Sequence, residues 1–377
     1  MKKAALILLL LAGIPALAQV NGWVASRKTG ERIPFAGITV ADTYIGTSTN
    51  ENGNYMLNIT QKGIYKLVFQ SLGHKTREVT IEVTSLPHTL NVTLEEEEYI
   101  LDAVAITNKE EAAMDIIRKA IDSRKANAKK TERFEADFYS RGMLRVKDVP
   151  EKILGQEIGD LGASLDSTRS GILYLSETVS KVKYDKPKIR EQVVASKVSG
   201  EDNGFSFNNA AAAEFDFYRN YIPLEVNVVS PIADNALNYY NYRLESAFFE
   251  QGTQLINKIK VNPKRKRSPA MTGYIYIVDK TWELYAVDLK ISGSQIEQAL
   301  VDTLSVRQSF GYNAKEKLWT RNVQTLDFGA SLFGVELSGR FSSVYSNFRF
   351  DPKFEESTFT SEILAFEENA KIGRAHV

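Results

Sequence analysis

Apolar and polar residues follow one rhythm before Glu95, a second up to about Lys130 and a third beyond it. Ile38 and Val40 alternate with Thr39 and Ala41, and Tyr55 and Leu57 resume the alternation behind Asn52-Gly53. A period of two is that of a half-buried strand, and Asn-Gly tolerates the positive φ of a tight hairpin. Pro34 stands at a strand entrance, where a missing N–H does no harm. Short strands joined by such turns predict a small β-sandwich over 19–96. The four consecutive acids Glu95 to Glu98 favour a solvated boundary over a packed strand.

The next stretch, 97–131, reads as a linker and a helix. After the apolar run Leu101 to Ile106, Thr107 and Glu110 have capping-box spacing, and Ala113, Ile116, Ile117, Ala120 and Ile121 form one apolar face. Glu110 and Glu111 precede that face, and Arg124, Lys125, Lys129 and Lys130 follow it, which suits the helix dipole. From Phe134 the period returns to two: Phe134, Ala136 and Phe138, then Ile259 and Val261, then Val287, Leu289 and Ile291 alternate with charged residues. The same alternation recurs around Ile275 to Ile277 and Phe348 to Phe350. The fold class expected is mainly β, with a larger antiparallel sheet over 132–354 carrying the helix on one face. Gly155 to Ser170 reads as a mobile loop and Asn262 to Pro269 as a long hairpin connection.

Composition narrows the setting. Lys2 and Lys3, the apolar run Ala4 to Leu11 and Ala16-Leu17-Ala18 have the three parts of a signal peptide, so 1–18 is expected to be removed and the protein exported to the periplasm or outer membrane. No cysteine is present, which excludes disulfides, thiolate ligands and a cysteine nucleophile together. The 47 basic and 47 acidic residues balance, which argues against nucleic acid as a partner. Ile372-Gly373-Arg374-Ala375-His376-Val377 matches the translation of a sequencing adapter. Residues 372–377 are therefore expected to be a scar, and 355–371 a tail leading to a further region.

The first module resembles the carboxypeptidase-regulatory-like domain. The likeness rests on Val20, Gly22, Val24, Gly30, the run Ile33 to Val40, the run Gly46 to Tyr55 and Leu67 to Gly73, with Asn50 and His74 as departures. It implies a transthyretin-like sandwich and no peptidase activity, since in carboxypeptidases this module is separate from the zinc-bearing domain. Ile116 to Ile121, Val149 to Gly155 and Ser230 to Leu244 resemble a domain of unknown function of Bacteroidetes outer-membrane proteins, which follows such a module and usually leads into a membrane β-barrel. The strands Ile259 to Lys264, Gly273 to Asp279 and Leu284 to Val287 are also similar to the half-barrel of periplasmic lipoprotein carriers, where a helix plugs the concave face; this resemblance implies that the larger antiparallel sheet is curled.

Catalytic patterns are scarce. His74 and His88 stand alone at turns, Gly329 to Phe333 lacks the last glycine of G-x-S-x-G, and Ser180 to Lys183 matches S-x-x-K without its partner motifs. Asn50 to Gly53 has the alternating oxygens of a calcium loop but no downstream bidentate Glu, so a plain hairpin is expected. No catalytic residue, metal ligand or cofactor is expected. The densest basic run, Lys264-Arg265-Lys266-Arg267, is the one candidate contact, toward an anionic lipid surface. The aromatics from Phe205 to Tyr242 are expected to pack in the core. The leading expectation is a non-enzymatic envelope protein, partnered with the outer membrane through a further barrel and with other envelope proteins. Two alternatives stand beside it. One is a starch-utilisation-type TonB-dependent receptor, with Leu101 to Ile106 as its TonB box. The other is a carbohydrate- or peptide-acting enzyme using Asp216 and Asp234. The joint between the modules is expected to be flexible, with the helix held by the larger one.

Overall fold

The computed structural model describes residues 19–41, 43, 45–50, 52–57, 59, 61–97, 108–153, 155–157, 159, 165–199, 209–212, 214–250, 253–332, 334–360 and 363–373. The expected leader, the run Leu101 to Ile106 of the receptor alternative and Thr107 lie outside them.

The first module is a two-sheet sandwich. One sheet places Val20–Ser26 between Asn54–Leu57 and His88–Thr89, with Val92–Leu94 also paired to it; the other runs Gly46–Ser48, Gly37–Val40, Gly63–Ser71, His74–Val83. The alternating residues meet between the sheets: Ile38, Leu57, Leu67, Phe69 and Leu94 are fully buried. Each such side chain contributes about 1.5–3 kcal/mol of transfer free energy. Tyr55 packs edge-on against Phe69 and places its hydroxyl 2.8 Å from the Leu90 carbonyl, so its polar end is satisfied at the rim of the core. The Asn50 side chain accepts the N–H groups of Asn52 and Asn54, both at 3.0 Å, and Gly53 takes φ 70°. That oxygen therefore closes a tight turn, which is not the expected hairpin: the strands on either side, Gly46–Ser48 and Asn54–Leu57, belong to different sheets.

The second module is one curled sheet of eleven strands among the described residues. In spatial order it runs Tyr240–Glu250, Gln254–Pro263, Thr272–Val278, Leu284–Ser292, Val301–Asn313, Leu318–Leu332, Val335–Phe350, Arg133–Lys147, Gly171–Asp185, Lys188–Ser199, Leu364–Gly373. Neighbours are antiparallel except at the end, where Leu364–Gly373 lies parallel to Lys188–Ser199. The segment read as a tail thus adds a strand, and Ile372 and Gly373 pair with Ser196 and Lys197. Ladder pairing uses backbone groups, so no side-chain alternation announced this strand.

The helix Lys109–Lys129 lies on the inner face of the curl, as its apolar stripe requires. Ala113, Ile117 and Ala120 are fully buried against a cluster that includes Phe217, Val228, Tyr240, Ile259 and Val287. Its cap differs by one residue from the sequence expectation. Asn108 accepts the Glu111 N–H at 3.1 Å and donates to the Glu111 carboxylate at 3.2 Å. Asn108/Glu111 has the same i, i+3 spacing as Thr107/Glu110, so spacing alone did not choose between them. Arg124 also departs from its expected role at the dipole. It is buried, with Nη1 donating to the Tyr218 carbonyl and Nη2 to Asp234, both at 2.6 Å.

The first module is not loosely tethered; it is docked on the outer face of the same sheet. The Phe35 ring lies 3.8 Å from the Arg340 guanidinium and 4.6 Å from that of Arg307. Two glycines allow the backbones to approach: a Cβ on Gly37 would come within 2.7 Å of Val323, and one on Gly46 within 3.0 Å of Val344. The Ser48 and Ser342 hydroxyls are 3.2 Å apart, and Leu72 packs against the large cluster. The acidic run Glu95 to Glu98 suggested repulsion, yet Arg27 and Lys75 pair with Glu95 and Lys28 with Glu96. Those pairs offset the charge of Glu95 and Glu96.

Candidate functional site

Three places combine shape with chemistry. The first is a cavity of about 100 Å³ on the inner face, beside the end of the helix. Its walls are aromatic, from Phe134, Phe215, Phe310, Trp319, Tyr345 and Phe348, and its polar groups are already committed to one another. Gln308 donates to the Phe215 carbonyl and to Gln324. Tyr184 donates to Glu214 at 2.8 Å, Arg219 pairs with the same carboxylate at 3.0 Å, and Lys186 pairs with Asp216 at 3.3 Å. Burial, then the Glu214 charge, raises the Tyr184 phenol far above its usual range, so it stays a neutral donor.

This is where the sequence placed its enzyme alternative. Asp216 and Asp234 do not share a cleft role: Asp216 serves Lys186 and Arg219, while Asp234 holds Arg124 and Asn220. Hydrogen bonds from Arg124 and Asn220 hold the Asp234 carboxyl below the usual range, opposite to the shift a general acid needs. Phe215, Phe217, Tyr240 and Tyr242 are buried, so packing is their role, whereas Tyr221, expected to pack with them, is exposed on a short hairpin; Phe205 and Phe207 lie outside the described residues. Ser180, from the S-x-x-K match, is buried and donates to Glu191 at 2.6 Å, and the same carboxylate accepts the Ala210 N–H at 2.7 Å. Burial raises the Glu191 carboxyl against these two hydrogen bonds. The Ser–Glu pair thus anchors the segment at Ala210 to the sheet.

The second place is the seam between the modules, missed by sequence reasoning. Glu97, last described residue of the first module, meets Glu250 of the sheet, and both are buried. Glu250 accepts from Tyr285 at 3.0 Å and from Thr76 at 3.3 Å. The Glu97 carboxyl is pushed up to about 8, first by burial, then by the Glu250 charge and hydrogen bond, with Lys75 opposing. The Glu97 carboxyl in so dry a place holds its proton more tightly than an exposed carboxyl does. His74, on the same edge, is pushed down by burial.

The third place is the basic run. Lys264, Arg265, Lys266 and Arg267 are all exposed on the connection between Gln254–Pro263 and Thr272–Val278. The Lys264 ammonium donates to the Leu237 carbonyl at 2.7 Å, and the other three side chains are presented outward.

Comparison with known families now places the chain. The family of unknown function DUF5686 matches residues 116–348, more than half of the sequence. The chain belongs to that family. A CarboxypepD_reg-like domain matches residues 20–106, ahead of it, in the order the two resemblances implied. A receptor plug was the expectation of the TonB alternative at this position, and the DUF5686 match occupies it instead. A search of curated proteins finds no match.

Among solved structures, a DUF1329 family protein from Desulfovibrio piger is 11% identical, with 68% of this chain and 98% of that one covered at a TM-score of 0.24. A LolA superfamily protein from Nitrosomonas europaea is 10% identical, covering 66% of this chain and 97% of its own at 0.21. The MucA/MucB complex of Pseudomonas aeruginosa contributes a chain that is 9% identical, with 62% and 100% covered at 0.19. Likenesses of this depth do not bear on function.

Proposed function

We propose that the chain is a non-enzymatic cell-envelope protein in which the CarboxypepD_reg-like module and the DUF5686 half-barrel act as one rigid body, exported by the leader at 1–18 and mounted on an outer-membrane protein. The observation that carries this reading is the docking of Phe35, Gly37 and Gly46 on the outer face of the sheet. A contact that holds two glycine backbones against valines and a ring against two guanidinium groups fixes orientation, which suits a spacer or scaffold. The inner face supports the same reading. Drug-sized ligands occupy cavities of roughly 300–1,000 Å³. The inner cavity here is about 100 Å³, and Ala113, Ile117 and Ala120 of the helix are buried in the adjoining apolar cluster. Among the described residues, this inner cavity is smaller than an acyl chain, as a lipoprotein carrier would bind, requires.

Fractionation of the full-length gene product tests the proposal. The expected result is recovery with the envelope, the leader cleaved after Ala18; recovery in the soluble cytoplasm overturns it. A substrate panel of glycans and peptides tests the non-enzymatic part. Turnover abolished by Asp234→Ala at unchanged folding would establish the enzyme reading in its place.

A further inference from the structure

The outer face of the sheet is divided by charge. Under the first module, basic residues are neutralised across the strands: Arg307 Nε lies 3.3 Å from Asp288 and its Nη1 2.7 Å from Asp327, while Arg340 Nε lies 2.5 Å from the same Asp327. Beyond the module the pattern reverses. Arg243 stands directly opposite Lys260 in the ladder, and Lys290 follows on the same face two residues after Asp288. Like charges placed opposite each other are destabilising. Among the described residues, none of Arg243, Lys260 and Lys290 forms an ion pair, and neither do the four cations of the adjoining connection. Glu225, Glu245 and Glu297 belong to the same end of the sheet and are exposed, without a basic partner among the described residues.

Apolar side chains accompany these cations. Gln295 Nε2 donates to the carbonyls of Ser268 and Ala270 at 2.9 and 3.0 Å, which holds the loop ending in Leu300 beside the basic connection. The Val229 N–H donates to the Pro269 carbonyl at 2.9 Å and brings up the short hairpin that starts at Tyr221. Leu300 is 53% exposed and Tyr221 42%. Cations ringed with an exposed aliphatic and an exposed tyrosine suit a surface that is anionic outside and apolar just beneath.

We propose that this end of the half-barrel, carried by Arg265, Lys266 and Arg267 with Arg243, Lys260 and Lys290 behind them and Leu300 and Tyr221 beside them, docks on the phosphate headgroups of an anionic lipid bilayer. The proposal deepens the envelope reading by naming the surface the rigid body rests on. Each surface cation contributes about a fivefold gain in affinity for such a bilayer, so three contribute on the order of a hundredfold. The attraction weakens as salt shortens the screening length.

The test is sedimentation of the processed chain with phosphatidylglycerol vesicles and with phosphatidylcholine vesicles at low and high salt. Binding to the anionic vesicles only, reversed by salt and lowered on the order of a hundredfold by Arg265→Gln/Lys266→Gln/Arg267→Gln, is the expected result. Lys264 is left in place because it caps the Leu237 carbonyl. Leu300→Ser/Tyr221→Ser, which leaves every charge in place, should lower binding severalfold. Equal binding to both vesicle types, or a triple variant that binds as the parent does at an unchanged melting temperature, overturns the proposal. Equally tight binding to duplex DNA, or loss of vesicle binding in millimolar inorganic phosphate at constant ionic strength, would replace the bilayer with a generic polyanion or a free-phosphate site. Envelope fractionation is a separate readout, so a failure here leaves the localisation reading standing.

Discussion

The inner and outer faces of one sheet are both covered, and by different chemistry. On the inner face Ala113, Ile117 and Ala120 of the helix meet Ile259, Val287 and their neighbours in a continuous apolar cluster, held at one end by Arg124 between Tyr218 and Asp234. On the outer face the first module meets the sheet through a ring on two arginines, two glycines, a pair of hydroxyls and a pair of buried carboxyls. Apolar burial is non-directional and scales with area, so the inner face contributes mainly stability. The outer contacts are directional and individually small, so they set how the modules are oriented. Phe35 itself sits at φ 63°, a left-handed conformation with a cost on the order of 1 kcal/mol, offset by contacts available only in the docked state.

Three substitutions separate the faces. The largest effect belongs to Ile117→Asp, which puts a charge into a fully buried site on the inner face. It should destabilise the half-barrel by roughly 3 kcal/mol or more, measured by denaturant unfolding, while the sandwich of the first module unfolds as before. If the two modules lose the same stability, the faces are not independent. Next comes Gly37→Ala, whose Cβ meets Val323 at 2.7 Å. It should weaken docking by about 1–3 kcal/mol, seen as faster proteolysis between the modules, and Val323→Ala should restore it. A double variant no better than the single would mean that Gly37 acts by its backbone alone. Phe35→Ala removes both guanidinium contacts and should weaken docking by about 1–2 kcal/mol, with far-ultraviolet circular dichroism unchanged.

Acidity should act on the docking seam through Glu97. Glu97 has a folded pKa raised to about 8, above the ordinary carboxyl value of 4.5 that it has when unfolded. A raised carboxyl pKa means the docked state holds the proton more tightly. Its contribution is complete below about pH 4.5 and is lost as pH rises through about 8. His74, lowered by burial, works in the opposite direction and is lost on acidification. Docking, followed by proteolysis between the modules, should therefore weaken as pH rises toward about 8 and change little above it, and Glu97→Gln should flatten that limb. A profile unchanged by Glu97→Gln would remove Glu97 from the pH dependence of the seam.

The elements were legible in the sequence because each announces itself locally. The alternation of Ile38 and Val40 marked a strand, and the spacing of Ala113, Ile117 and Ala120 marked the helix and the face it buries. The docking was not legible, because its residues have a sufficient local reading. Gly37 and Gly46 pass as strand and turn glycines, and Phe35 passes as a strand-entrance residue behind Pro34. Asp288, Arg307, Asp327 and Arg340 pass as solvated positions of alternating strands, and only the ladder register sets them side by side. Glu97 was counted in a charge run when its partner Glu250 lies far along the chain. Arg124 was given to the helix dipole for the same reason: its partners, Tyr218 and Asp234, are remote in sequence. For the candidate contact, the four cations were visible as a run, whereas Arg243, Lys260, Leu300 and Tyr221 join them only through the fold.

Docking of the first module on the outer face is tested most directly by a cross-link between Ser48 and Ser342, whose hydroxyl oxygens lie 3.2 Å apart. The native chain has no cysteine, so Ser48→Cys/Ser342→Cys introduces the two thiols alone. Under mild oxidation the account predicts near-complete intramolecular disulfide formation at neutral pH, read as a mobility shift on non-reducing electrophoresis and slowed by Gly37→Ala. A pair that stays reduced, or closes no faster than a pair placed on surfaces that do not face each other, would contradict it.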